Sequence, residues 1–143
     1  MIATVTANAL GIDFLSQGEA ALFKWLIASF LMGKRIRAAT AIKAYQVIVE
    51  QYHVDTPAKL SRCTHRELVR MLGQGGYARY DESTARRLHA LAGKLEREYE
   101  GRIGRLREIS ADRKALEQRL LAFEGIGPKT LEIFMREAGT ALN

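Results

Sequence analysis

The stretch "LLAFEGIGPKTLEIFMREA", residues 120–138, decides the fold of the C-terminal part of the chain. Apolar residues at helical spacing lie on both sides of a short turn that contains Gly125 and Gly127. Pro128 follows the turn, and proline is favoured at the first position of a helix. The pattern therefore predicts two helices, over 112–123 and from Pro128 onwards, joined by a tight glycine turn.

This turn has the chemistry of an anion site. The N–H groups of the turn and of the following helix N-terminus would lie side by side, with the positive end of the helix dipole behind them. Glycine leaves such amides open to a phosphate, while Ile126 would point inward and fix the turn by packing. The alternative is a simple connector, in which the glycines end one helix and Pro128 starts the next. The candidate phosphate-binding residues are Gly125, Ile126, Gly127, Lys129 and Thr130.

The rest of the sequence also has a helical period. Thr64 and Glu67 match a capping box, and "DTPAKL" supplies a cap followed by a proline. We predict an all-α fold, a compact orthogonal bundle or barrel of six to seven helices in one domain over 1–143, with a helical hairpin at about 112–138. Residues 1–16 would form an N-terminal arm that can be irregular. The predicted helices before the hairpin are 17–32, 36–52, a short one after "DT", 64–72 and 83–100.

The charge favours a polyanionic partner. The formal net charge is +6 and the pI about 9.7. The segment 34–80 holds nine basic and three acidic residues, so it carries the whole excess, and the rest of the chain balances to zero. Nucleic acid is the first expectation and an anionic membrane surface the second.

The single cysteine, Cys63, limits the cofactors that this chain can hold. One cysteine cannot form an internal disulfide, and it cannot supply an iron–sulfur cluster or a zinc site built from several cysteines. The three histidines show no metal-ligand spacing with one another or with Cys63, so no metal site is expected. The basic neighbours of Cys63 in "SRCTHR" could lower the pKa of its thiol. The alternative is a thiol that its neighbours do not activate.

The sequence favours a cytoplasmic protein, associated with the nucleoid if the source is bacterial. The most apolar run, residues 20–32, contains Lys24 and is shorter than the ~20 residues that span a bilayer. The N-terminus has no basic leader of the kind that secretory signals carry. No membrane association is therefore expected.

The hairpin resembles the helix-hairpin-helix motif, which grips one DNA strand through its phosphates. The resemblance covers "GIGPKT", the apolar Phe123 before it, and Leu131 and Phe134 after it. Over about residues 20–140, the layout is similar to the helical-barrel domain of the helix-hairpin-helix DNA glycosylase superfamily, the endonuclease III-like enzymes. The resemblance implies base-excision repair, with double-stranded DNA, damaged or abasic, as the partner. It also leaves room for a monovalent cation at the hairpin.

The resemblance implies two further DNA-contacting segments. In the family, the turn after the first long helix and the loop before the long helix that precedes the hairpin enter the DNA at the damaged base. Tyr77 and Tyr80 in this loop could stack on bases or wedge between them, and the alternative is that they cover the core. The candidate DNA contacts in the two segments are Lys34, Arg35, Arg37, Gly76, Tyr77 and Arg79.

Lys129 is the candidate catalytic residue. The resemblance places it at the lysine that, in bifunctional members, attacks the sugar C1′ and forms a Schiff base, for which the amine has to be neutral. No Asp follows Lys129, although the family's helper aspartate does, so a partner domain or protein would have to supply that carboxylate. The alternative is that Lys129 contacts a phosphate as a point charge, and Glu132, one turn later, could pair with it.

Three functions therefore stay open at the level of the sequence. The first is a base-excision-repair enzyme, a DNA glycosylase or AP lyase. The second is a DNA-binding module without catalysis, which would bind many sequences with a steep dependence on salt. The third is a helical protein-interaction domain in which the hairpin is only structural.

Overall fold

The protein is all-helical in a computed structural model that describes residues 4–142. These residues contain no strand. A 3₁₀ turn, Asn8–Leu10, precedes the first α-helix, and a π-helical segment, Gln46–Gln51, continues the third. The α-helices are α1 Phe14–Gln17, α2 Glu19–Met32, α3 Ala38–Tyr45, α4 Pro57–Arg62, α5 His65–Gln74, α6 Asp81–Tyr99, α7 Ile103–Glu108, α8 Arg113–Leu121 and α9 Pro128–Ala141.

The predicted all-α class is confirmed, and the described residues form two short helices more than the sequence pattern indicated. Asp13 caps α1, since its side chain accepts a hydrogen bond from the Leu15 N–H at 3.1 Å. Glu19, in α2, accepts hydrogen bonds from the N–H groups of Ile103 and Gly104 and so caps α7. A cap supplied from 84 residues away is a tertiary contact, which no local pattern can reveal.

Local caps set most of the other helix boundaries. The Thr56 hydroxyl accepts from the Lys59 N–H at 3.1 Å, and Pro57 begins α4. Thr64 and Glu67 form the predicted capping box at the start of α5, with distances of 3.1 and 2.8 Å. Asp112 accepts from the Ala115 N–H and begins α8. Each such cap is worth about 1 kcal/mol.

The predicted helix over 36–52 is not a regular α-helix over its whole length. It begins at Ala38 and changes from α to π at Gln46. Val47, Ile48 and Val49 are all buried. The single buried face of a regular amphipathic α-helix does not include three consecutive positions. These three residues lie in the π-helical segment, whose turns are wider.

The N-terminal arm packs against the core, and its described backbone is irregular outside the 3₁₀ turn and α1. Ala7, Leu10 and Ile12 are buried, and the Ala7 N–H donates to the Glu137 carboxylate of α9 at 3.0 Å. The predicted arm also included residues 1–3, which lie outside the described residues. The contact between Ala7 and Glu137 helps to fix the position of α9.

Helix α2 is the centre of the fold. It is apolar on all sides, as expected of a buried helix, and packs against α3, α7 and α9. The Trp25 Nε1–H donates to the Phe134 carbonyl of α9 at 3.1 Å, and both residues are buried. Because α2 contacts α9 along its length, the turn that follows α2 comes to lie beside the N-terminus of α9. Between residues 4 and 142, every helix is too short or too polar to cross a bilayer.

Candidate nucleic-acid interface

The hairpin turn between α8 and α9 has the geometry that the sequence predicts. Gly125 has a φ of +90°, a left-handed conformation that favours glycine. Ile126 is 5% exposed, so its side chain points into the core as expected, and its N–H donates to the Phe123 carbonyl. Gly127 is the N-cap of α9 and has extended backbone angles.

Two backbone N–H groups at the start of α9 are free to bind an anion. Within residues 4–142, the N–H groups of Gly127 and Lys129 donate to no other protein group. Gly127 is half-buried and Lys129 is exposed. The positive end of the α9 dipole lies behind both groups, which favours an oxyanion as the missing acceptor.

The hairpin turn is interlocked with the turn after α2. A Cβ on Gly125 would approach the Phe30 Cζ to 2.7 Å and the Arg87 Cδ to 3.2 Å. A Cβ on Gly33 would overlap the Thr130 Oγ1. Both glycines therefore allow a close approach of the two turns, and the N-terminus of α9 has a fixed position relative to the end of α2.

Lys34 bridges the two turns. Its Nζ donates to the Gly125 carbonyl at 3.0 Å and lies 4.7 Å from the centroid of the Phe30 ring. The side chain is half-buried. This burial, and secondarily the positive charge of Arg87, lowers the pKa of the Lys34 amine below its ordinary value.

Two adjoining cavities open at this junction. The hairpin cavity has a volume of about 400 Å³ and lies between the two turns; the loop cavity has a volume of about 280 Å³ and lies between the turn after α2 and the start of α6. The hairpin cavity is lined by Gly33, Lys34, Arg87 and residues 125–130. The loop cavity is lined by Gly33, Lys34, Arg35, Tyr80, Ser83, Thr84 and Arg87.

Arg87 is the cation that the sequence analysis missed. It lies on α6 and lines both cavities. Its buried Nε has no hydrogen-bond partner among the described residues, and the Glu124 Oε1 lies 3.6 Å away as an ion-pair partner. Arg87 directly precedes the buried Leu88 on α6, and nothing in the local sequence indicates that its side chain reaches the hairpin turn.

Apart from Tyr77, the predicted DNA contacts lie in two different settings. Lys34 and Arg35 line the loop cavity. Arg37, Gly76 and Arg79 are exposed but line neither of the two cavities. They can reach only ligands that extend along the surface beyond the cavities.

Tyr77 is wrong as a candidate for contact with DNA bases. Its side chain is fully buried, and its hydroxyl donates to the Leu31 carbonyl at 3.2 Å. Burial raises the pKa of Tyr77 to about 12. The alternative that this tyrosine covers the core is therefore the one observed. Tyr80, by contrast, lines the loop cavity, with the Arg79 guanidinium 5.4 Å from its ring centroid.

Lys129 and Thr130 have different surroundings although they are neighbours. Lys129 is exposed at the rim of the hairpin cavity, and the ion pair with Glu132 that its spacing allowed does not form within residues 4–142. Thr130 is 1% exposed and packs against Gly33, so it forms part of the cavity wall. Its side chain is therefore enclosed, and its role as a phosphate-binding residue, which would use the backbone N–H, stays a prediction.

The two cavities are cationic. Their charged lining side chains are Lys34, Arg35, Arg87 and Lys129, and no Asp or Glu is among the described residues that line them. Glu124, at the edge of the turn, pairs with Arg86 at 2.9 Å and with Arg87. The arrangement can attract an anion, but it lacks a carboxylate that could stabilise a cationic sugar intermediate.

Other groups of reactive side chains lie away from the cavities. No cluster of three His, Cys, Asp or Glu side chains that could hold a metal occurs within residues 4–142. Burial, with a smaller contribution from Glu67, raises the pKa of the Cys63 thiol, so its basic neighbours in the sequence do not activate it. A larger groove of about 650 Å³ shares Lys129 with the hairpin cavity. It lies between the start of α9, the N-terminal arm and the segment from Met32 to Ala38, and its lining includes Glu132 and Arg136.

The cationic junction of the two turns is thus the candidate site. At Gly125, Ile126 and Gly127 the turn has the backbone geometry that the sequence predicts, whereas Tyr77, in the loop before α6, is buried. No protein-family model, no curated protein and no solved structure matches this chain.

Proposed function

We propose that this chain binds double-stranded DNA through its sugar–phosphate backbone, in the manner of base-excision-repair proteins. One observation carries the proposal: the free N–H groups of Gly127 and Lys129 open onto a cavity whose charged lining side chains are all cationic. A phosphate oxygen would supply the missing acceptor for these amides. Lys129 and Arg87 would compensate its charge.

The energy available at this site is sufficient for a phosphate clamp. A hydrogen bond to a charged acceptor contributes about 1.5–3 kcal/mol. Two such bonds, with the helix dipole behind them, would hold one phosphate at a fixed place without contacting a base. Binding would therefore depend little on DNA sequence.

The exposed basic residues outside the cavities extend the proposed surface. Arg37 and Arg79 lie on the turn before α3 and on the loop before α6, and both are exposed. They would contact phosphates on either side of the clamped one. The steric freedom of these exposed side chains suits such non-specific contacts, which steer association and fix the orientation of the duplex.

The proposal concerns binding, and base removal would need a further group. Cleavage of a glycosidic bond places positive charge on the sugar, which a carboxylate normally stabilises. Neither cavity is lined by a carboxylate among the described residues. A partner domain or protein that supplies an aspartate would complete a glycosylase site.

Gly127 provides the most direct test. A Cβ at this position meets no atom within 4 Å, and the backbone is extended, so Gly127→Leu should fold normally. Its side chain would cover the free amides. We expect the variant to lose affinity for a duplex with a tetrahydrofuran abasic analogue by about tenfold or more, as measured by fluorescence anisotropy at low salt.

The matched control is Ala111→Leu, which places the same leucine side chain at an exposed residue near the opposite end of α8. It should bind the duplex like the wild type. Thermal unfolding of both variants would verify that they are folded. Equal affinities of Gly127→Leu and the wild type, or no binding by the wild type at low salt, would contradict the proposal.

A further inference from the structure

Helix α9 carries an exposed stripe of residues along its outer face. Pro128, Glu132 and Arg136 follow one another at a spacing of four, and all three are exposed. Side chains at this spacing form a ridge on the surface of a helix. The three residues line a groove on each side of this ridge, so α9 has the shape that a second helix packs against.

The two grooves contain apolar side chains that are only partly buried. The larger groove, of about 650 Å³, includes Val5, Met32 and Ile133. The smaller groove, of about 460 Å³, lies between α8 and α9 and includes Leu121 and Leu131. A partner that covers these side chains removes apolar surface from water, which favours association.

The ridge also carries two opposite charges that are not paired within the described part of the chain. Glu132 precedes Arg136 by four residues, which is the favourable order for an ion pair along a helix. No such pair forms within residues 4–142, where the Glu132 carboxylate is in no ion pair and accepts no hydrogen bond. Arg136 donates to the Val5 carbonyl at 3.1 Å, so the described residues give it an acceptor but no counter-ion.

We propose that this face of α9 is a homodimer interface, against which α9 of a second copy of the chain packs in antiparallel orientation. A two-fold axis midway between Glu132 and Arg136 brings Glu132 of each copy opposite Arg136 of the other. The two ion pairs are then identical, as the isologous interface of a two-fold dimer requires. The ridge of each copy enters a groove of the other, as in the common packing of helices through residues four apart.

The arrangement of the charges favours a second copy over a partner of a single charge. A polyanion such as DNA would be repelled by Glu132, and a purely basic partner would be repelled by Arg136. A surface with one charge of each sign, symmetric about a point, is complementary to itself. The interface is independent of DNA binding. It places the two hairpin turns at opposite ends of the α9 pair, roughly 20 Å apart at a rise of about 1.5 Å per residue.

Reversal and exchange of the two charges test this interface. The variants of the full chain are Glu132→Arg, Arg136→Glu and the exchange variant that carries both changes. The matched control is Glu98→Arg, at an exposed residue of α6 that lines neither groove. Sedimentation velocity without DNA, at about 1 µM to 1 mM protein, would give the dissociation constant of each dimer over the range from moderate to weak affinity. Thermal unfolding would verify that each variant is folded.

We expect the wild type and Glu98→Arg to form dimers of equal affinity. Each single reversal places like charges opposite each other twice and should raise the dissociation constant at least about tenfold. The exchange variant restores both ion pairs and should return to within about threefold of the wild type. Net charge alone does not produce this pattern, because the two single reversals change it in opposite directions.

A wild-type protein that stays monomeric at every concentration would overturn the interface, whatever the variants do. A dimer that Glu132→Arg weakens no more than Glu98→Arg would place the contact elsewhere on the surface and equally overturn it. So would a folded exchange variant that binds no more tightly than the single reversals.

Discussion

Gly125 and Gly127 stand two residues apart in one turn but have different physical requirements. Gly125 needs a left-handed backbone with a φ of +90° and has no room for a Cβ, because Phe30 and Arg87 lie against it. Gly127 has a φ of −104° and open space around it. The first glycine is therefore required by the fold, whereas the fold does not require the second.

This difference predicts unequal effects of alanine on stability. Gly125→Ala should lower the free energy of unfolding by about 1–3 kcal/mol, because it adds backbone strain and a steric overlap. Gly127→Ala should change it by less than about 1 kcal/mol, because alanine restricts the unfolded chain but is a poorer N-cap residue than glycine. Urea unfolding of the two variants and the wild type measures both effects.

The two glycine variants control for each other, since both add one methyl group to the same turn. If Gly125→Ala were as stable as the wild type, the turn would have to adopt another conformation. A loss of stability in Gly127→Ala as large as that in Gly125→Ala would show that the open space at Gly127 is filled in solution.

At the scale of elements, the loop after α5 is held against α3 by a glycine. A Cβ on Gly75 would approach the Ala44 Cα to 2.5 Å and the Ala44 nitrogen to 2.8 Å. The contact involves the backbone of α3, which cannot move aside as a flexible side chain could. This close approach directs the chain that follows, so that Tyr77 enters the core and Tyr80 reaches the loop cavity.

Gly75→Ala should therefore destabilise the protein by about 1–3 kcal/mol, because α3 and α5 must separate to accommodate the methyl group. Gly73, within α5, meets no atom within 4 Å at its Cβ position. Gly73→Ala should stabilise the helix by about 0.5–1 kcal/mol, since alanine has the higher helix propensity. Thermal unfolding followed by circular dichroism would measure both changes.

A midpoint for Gly75→Ala at or above that of the wild type would rule out the close backbone contact with Ala44. The Gly73 variant serves as the control because it makes the same substitution two residues earlier.

At the scale of the whole molecule, folding redistributes the positive charge that the sequence concentrates in residues 34–80. Lys34 belongs to that segment, but Arg87 and Lys129 do not, and all three line the hairpin cavity. Several arginines of the segment, such as Arg66 and Arg70, are exposed on α5 instead. The local electrostatic potential at the site therefore depends on the packing of α2, α6 and α9.

The salt dependence of DNA binding measures how many phosphates this assembled surface neutralises. If Lys129 contacts one phosphate, Lys129→Ala should reduce the slope of log K against log salt concentration by about 0.9. Lys114→Ala, which removes the same charge from an exposed position on α8, should leave the slope unchanged. Anisotropy titrations of a duplex between 50 and 200 mM salt, roughly the range over which such contacts are resolved, would give the slopes.

An equal reduction of the slope in both variants would mean that only the net charge matters and that Lys129 has no defined phosphate contact. A flat response of the wild-type protein would contradict electrostatic binding altogether. The two variants have the same net charge, so a difference between them reports position alone.

The sequence by itself determined the all-α class, the capped starts of α4 and α5, and the hairpin turn before α9. These features depend on interactions within a few residues, such as the Thr64 capping box and the proline that begins α9. The period of apolar residues likewise identified the core stripe of α6. Interactions of this kind involve only residues close together in the sequence and can therefore be predicted from it.

Only the tertiary structure decided which side chains meet at the site. It buried Tyr77 and left Tyr80 at a cavity, although the two tyrosines are three residues apart in the same loop. It also brought Lys34 to the Gly125 carbonyl, 91 residues away in sequence, and placed Arg87 beside both. Such contacts depend on how α2, α6 and α9 pack in three dimensions, and the helical period fixes the buried face of each helix but not its neighbours.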